Sequence, residues 1–124
     1  MRSGGRLAGQ TGRWGEQLVA EDMCKRGWEI LARNVRFSVG EIDLVARRNG
    51  ILSFTEVKLR RNAGFAQARE FVTRNKQRRL RLAAECYLMH HPTTLQPRFD
   101  VVEVYAPYGM DTPNPEIIYW EDAF

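Results

Sequence analysis

The sequence is poor in cysteine, and the two it has, Cys24 and Cys86, stand far apart with no CxxC spacing. That excludes a disulfide-stapled scaffold and a thiolate metal knot, and both thiols are expected to be buried and reduced. No apolar run approaches the length of a membrane span. The basic start, MRSGGRLAGQTGR, has no apolar core behind it, so it does not read as a secretory signal. The expectation is a cytoplasmic protein with no membrane partner. Internal repeats and low-complexity tracts are also missing. Acids are scarce in residues 58–81, where nine Lys and Arg stand against one acid, Glu70, and bases are absent from residues 100–124, which hold six acids. The 124 residues suffice for one domain and one core, expected over 13–124 with a mobile basic arm at 1–12.

What is present centres on the stretch from Gly40 to Lys58. Two alternating apolar runs flank Asn49-Gly50, a strong short hairpin signal, because both loop residues of a type I′ turn need a positive φ. With those two as the loop, Arg48 faces Ile51, Asp43 falls across from Glu56, and Glu41 falls across from Lys58. Strand side chains share a face at every second residue, so these four charged groups crowd together. Directly opposed like charges are destabilising. A bound divalent cation is the best reason for tolerating them, since hard cations take oxygen ligands. Ile42, Leu44, Ala46, Ile51 and Val57 are expected on the opposite face, with Leu52 and Phe54 keeping the far end of the carboxylate face dry.

Upstream, residues 13–26 have a helical pattern ended by Gly27. Glu16 lies on the side of Val19, Ala20 and Met23, where it either favours the helix dipole or points a carboxylate inward. Residues 28–36 suggest a strand with Ile30 and Leu31 in the core. Downstream, 60–67 reads as a polar loop and 68–90 as a long helix. Its apolar stripe runs through Val72, Leu80, Ala83 or Ala84, and Tyr87, and Lys76 stands in line with it. Lysine is seldom buried without a partner, so Lys76 is either a snorkelling stem or a cation reaching the carboxylates or a phosphate. Arg74, Arg78 and Arg81 lie on the outward side. Together with Arg60 and Arg61 they form a basic stripe suited to nucleic-acid backbone; a solvated helix face is the bland alternative. His90 and His91 suit a helix C-terminus better than a metal site. Residues 98–105 suggest a strand parallel to an earlier one, and Glu116–Trp120 a short edge strand.

Glu16, then GEIDL at 40–44, FTEVKLR at 54–60, a helix bearing Lys76, and RFDV at 98–101 together resemble the YraN family of bacterial proteins. That family is similar to the restriction-endonuclease-like PD-(D/E)xK superfamily and, within it, to archaeal Holliday-junction resolvases. The likeness spans Gly12 to Tyr105 and departs from the family's pattern at Ala66 and Ala68. It implies an α/β fold, an αβββαβ core with a mixed central sheet flanked by helices. It implies Asp43, Glu56 and the Val57 carbonyl as ligands of Mg²⁺ (or Mn²⁺), with Lys58 orienting or activating the attacking water. Glu16 would support the metal site, and two copies would act together as a homodimer.

The function these features suggest is metal-dependent hydrolysis of phosphodiester bonds in nucleic acid, branched or single-stranded DNA first. The alternative is a nucleic-acid-binding protein of the same fold that does not cut. A third reading is an interaction subunit whose acidic C-terminal stretch docks on a basic partner.

Overall fold

The computed structural model describes residues 2–61 and 72–124, with side chains from Gly9 onward. The elements run α1 (Arg2–Lys25), β1 (Glu29–Phe37), β2 (Gly40–Arg48), β3 (Ile51–Arg60), α2 (Arg74–His90), β4 (Gln96–Tyr105) and β5 (Glu116–Trp120). One mixed sheet carries the strands in the order β1-β2-β3-β4-β5. β3 and β4 are parallel, joined through α2, and the other neighbours are antiparallel. This is the αβββαβ core of the restriction-endonuclease-like fold with β5 added at one edge.

The hairpin turns where the sequence signals it. Asn49 and Gly50 take φ values of 50° and 79°, and Arg48 pairs with Ile51. Apolar alternation then covers both faces of the sheet. On one, Val19, Ala20 and Met23 of α1 pack with Leu44, Ala46, Val102 and Val104. On the other, Leu80, Ala83, Ala84 and Tyr87 of α2 pack with Ile42, Val45, Leu52 and Phe54. Among the described residues no helix is long and apolar enough to cross a membrane.

Several expectations shift. α1 begins at Arg2, so the helix takes in the backbone of residues 2–12 ahead of the helical pattern expected over 13–26. No proline interrupts that stretch, and the packed turns further along can propagate the helix backwards. α2 begins at Arg74, capped by the Thr73 hydroxyl on the Lys76 N–H, and residues 72–73, expected within the helix, precede it. The polar loop expected at 60–67, the helix start at 68, and Ala66 and Ala68 fall largely or wholly within 62–71, outside the described residues. Leu31 is exposed, because a bulge between Ile30 and Ala32 turns it out of the core. Cys24 is exposed rather than buried, and both cysteines are free thiols.

Ile42 also departs from simple alternation. It joins the α2-side cluster, while Leu44, two residues on, joins the α1 side. The cause lies in the rung between them. Arg33 pairs with Leu44 and Val35 with Ile42, but Asn34, between them on β1, takes a left-handed φ of 50°. That kink re-aims β2 at Asp43.

Gly40, which opens β2, lies against α2. A Cβ there would stand 2.3 Å from the Arg79 carbonyl oxygen. Gly40→Ala is therefore expected to cost about 1–3 kcal/mol through overpacking against backbone. Gly12→Ala, in an open helical position, should instead gain up to ~1 kcal/mol. Urea midpoints of the two variants check this, and a Gly40→Ala midpoint equal to the parent's would contradict the packing argument.

Candidate active site

The site forms where two strands part. The β2–β3 ladder runs from Arg48↔Ile51 to Leu44↔Thr55 and ends there. Beyond that rung β2 stays with β1, and β3 stays with β4 to Arg60↔Tyr105. Asp43 and Glu56 sit at the mouth of the fork. Asp43 Oδ2 accepts the Val57 N–H at 2.8 Å, so a side chain closes the ladder where backbone pairing stops. The hairpin register thus brings the two acids together, though as flanks of a fork rather than as a backbone-paired rung. Glu41 is displaced from its expected place. It pairs with Arg36 on β1, their charged groups 3.4 Å apart, not with Lys58.

The fork opens into a cavity of about 450 Å³ lined by Glu16, Glu41, Asp43, Glu56, Lys58 and Lys76, with Arg79 and Leu80 on the α2 side. α1 supplies Glu16 and α2 supplies Lys76, so both helices reach the fork. Lys58 Nζ lies 3.2 Å from Glu56 Oε2 and Lys76 Nζ 3.9 Å from the same oxygen. Lys76 is thus a partly exposed cation on the carboxylates rather than a snorkelling stem.

Burial and like charge dominate the electrostatics. Burial, then the Glu56 charge, push Asp43 up to about 8, although the Val57 N–H opposes the shift. Burial likewise raises Glu16; hydrogen bonds with Asn34 and Asp43 pull it back, and Glu41 and Glu56 push it up. Lys58 beside it lowers Lys76, burial adds to that, and Glu56 and Asp43 oppose. Glu16 Oε1 is buried without a hydrogen-bond partner among the described residues. Among the described residues no three His, Cys, Asp or Glu side chains are grouped to hold a metal by themselves.

Of the residues expected in the site, Glu16, Asp43, Glu56, Val57, Lys58 and Lys76 come together. Arg74, Arg78 and Arg81 line a separate groove on α2, and the Arg81 guanidinium stacks over Phe99 at 4.9 Å. Arg61 is exposed beyond β3. Arg60, expected on nucleic acid, turns inward: its Nε lies 3.3 Å from the fully buried Glu103, which also accepts from Tyr105 Oη and Trp120 Nε1. His90 bonds the Cys86 carbonyl and His91 stacks on Tyr87, the helix-end roles expected of them. Sequence reasoning missed Asn34 and Arg79. A lone Asn in a strand carries no pattern of its own, though Asn is among the few residues that tolerate a left-handed φ.

Asp43 sets the sign of one pH effect. Between about pH 4 and pH 8 the folded chain keeps an Asp43 proton that the unfolded chain has released, so Asp43 makes stability fall as pH rises through that window. Asp43→Asn removes the penalty. In EDTA its melting temperature should exceed the parent's by ~5 °C or more at pH 8, with the gain shrinking towards pH 4. Thermal melts across pH check this, and a gain that is flat or grows on acidification would contradict it.

The sequence profile described as "Uncharacterised protein family UPF0102" matches residues 15–104, which contain every carboxylate and lysine of the cavity. The chain is similar to a UPF0102 protein of Symbiobacterium thermophilum, 48% identical over 79% of this chain and 84% of that one. It is similar to another of Dictyoglomus turgidum, 36% identical over 90% and 92%, and to one of Rhodococcus opacus, 41% identical over 91% and 94%. A profile that covers the forked strands, α2 and the second half of α1, and relatives matched over about four fifths or more of each chain, place the chain in one group: it belongs to the UPF0102 family, the YraN family of the sequence resemblance.

Proposed function

We propose that the protein is a Mg²⁺-dependent nuclease that hydrolyses phosphodiester bonds in DNA, a member of the PD-(D/E)xK superfamily. One observation carries this reading. A pair of carboxylates, Asp43 and Glu56, flank a fork in the sheet with a lysine two residues after the second, and a third carboxylate faces them from α1.

The donor set fits a hard cation. It consists of oxygens, and it includes a buried carboxylate oxygen with no hydrogen-bond partner among the described residues. Asp43 and Glu56 would hold the ion, with the Val57 carbonyl as a further ligand and Glu16 supporting the site. When bound, Mg²⁺ supplies charge neutralisation at the phosphoryl oxygens and a more acidic water. The chain's own groups do the rest. Lys58 sits on Glu56 and is placed to stabilise charge that develops on the phosphate. Lys76 and Arg79 reach the same cavity from α2 and draw a phosphodiester over the carboxylates. Asp43 must release its proton to bind the ion, so activity is expected to rise from pH 6 to pH 8.

A second reading has its own observation. Both lysines lean on Glu56, which suits a site neutralised from within, as in a nucleic-acid-binding protein of the same fold that does not cut. Cleavage of a panel of single-stranded, duplex and branched DNA and of RNA, with Mg²⁺ or Mn²⁺, separates the two. The nuclease reading expects hydrolysis of at least one substrate, abolished by Asp43→Ala and by Glu56→Ala and lowered ~100-fold or more by Lys58→Ala. Binding without cleavage on every substrate, or equal cleavage by the Asp43→Ala variant and the parent, would overturn it.

A further inference from the structure

Beyond the fork, β3 and β4 run on as a parallel pair and leave the sheet together, at Arg60 and Tyr105. Ligands of open α/β sheets gather outside the carboxyl ends of such strands. There a second groove of about 320 Å³ opens, lined by Arg61, Tyr105, Pro107, Tyr108, Pro113 and Glu116 among others. It is built from chemistry the cavity at the fork does not use. Tyr108 is 73% exposed, a large aromatic ring with one face in water. Tyr105 forms a fixed wall: its hydroxyl donates to Glu103 at 2.9 Å, and Glu103 is itself fully buried. Tyr108 is anchored through its backbone N–H to the Thr112 hydroxyl at 2.9 Å. Arg61 is exposed and, among the described residues, has no ion-pair partner.

We infer that this groove is a subsite for an unpaired nucleobase of the nucleic-acid strand, with the base stacked on Tyr108 and its phosphate on Arg61. This rests on the nucleic-acid reading of the fork and deepens it. Three features select the occupant. An aromatic face beside a guanidinium is the pairing that single-stranded nucleic acid uses, since every base has a π-face and every link a phosphate. Glu116 pairs with Tyr105 from β5, on the other side of β4 from Arg60 and Arg61, so the phosphate runs on the Arg61 side and the edge of the base faces the carboxylate. Continuity supplies the third. Glu56 and Arg60 lie on one strand about 13 Å apart at the rise of an extended chain, so a strand leaving the fork along β3 arrives at the groove. A stacking platform at that point would bias the protein towards substrates with unpaired nucleotides beside the attacked bond.

The test uses the full chain in EDTA, where binding is separated from any hydrolysis. The probes are a fluorescent single-stranded DNA, a blunt duplex of the same length, and a single strand carrying 2-aminopurine, whose emission is quenched on stacking. Tyr108→Ala should weaken single-strand binding about tenfold, leave duplex binding unchanged and abolish the quenching. Tyr108→Phe should retain all three, and Arg61→Ala should weaken single-strand binding with a shallower salt dependence. Equal single-strand affinity and quenching in Tyr108→Ala and parent would overturn the inference, as would single-strand and duplex affinity falling together. So would a parent dimer that Tyr108→Ala converts to monomer in sedimentation, because a second copy would then cover the ring. None of these outcomes bears on hydrolysis, which is scored separately with the Asp43→Ala variant, so failure of the groove and failure of the nuclease reading are told apart.

Discussion

The constraint on which the structure turns is the parting of β2 and β3 at Asp43. A continuous ladder would have paired the backbone of Asp43 with that of Glu56 and set two like charges face to face at a small, fixed separation. Instead the Asp43 carboxylate takes the Val57 N–H, the strands diverge, and the gap admits side chains from both helices. An unsatisfied buried N–H is avoided, but a carboxylate is drawn into a poorly solvated position. The shift of Asp43 to about 8 expresses that tension. Carboxylates held at a fork under a positive helix are a poor way to stabilise a fold, and shifted titrations of this kind cluster at functional sites.

The surrounding features make the fork possible. Gly40 lets the start of β2 approach the Arg79 carbonyl, which brings α2 and Lys76 over the cavity. Asn34, with its left-handed φ, breaks the regular course of β1 opposite Asp43, and its side chain opposes the upward shift of Glu16. Further along the sheet, the buried Glu103 ties the half-buried Arg60, Tyr105 and Trp120 into one network that joins β3, β4 and β5. Such a network is costly unless every member is paired, and it fixes the geometry of the strands that leave the sheet beside the second groove.

Much of this is legible in the residues. Asn49-Gly50 sets the hairpin, alternation sets the register, and the register alone brings Asp43 and Glu56 together. The helical stripe through Leu80, Ala83, Ala84 and Tyr87 places Lys76 towards the same point. What escapes is whatever depends on local departures from period. The bulge at Leu31 and the kink at Asn34 each change which side a residue faces, and neither carries a composition signal. Ile42 and Leu31 are misplaced for that reason. Arg60 escapes for another. A charged residue in a basic run reads as a surface cation until the buried Glu103 on the neighbouring strand is known, and a glutamate amid valines gives no sign of where its partner lies.

The proposed function requires Asp43 and Glu56 to share one cation. Calorimetric titration of Mn²⁺ at pH 7, repeated in buffers of different ionisation heat, measures both the binding and the protons it displaces. The expected result is saturable binding with about one proton released per ion, drawn from Asp43, and loss of that binding in Asp43→Asn and in Glu56→Gln. Absence of binding, or binding that both variants retain unchanged, would contradict it.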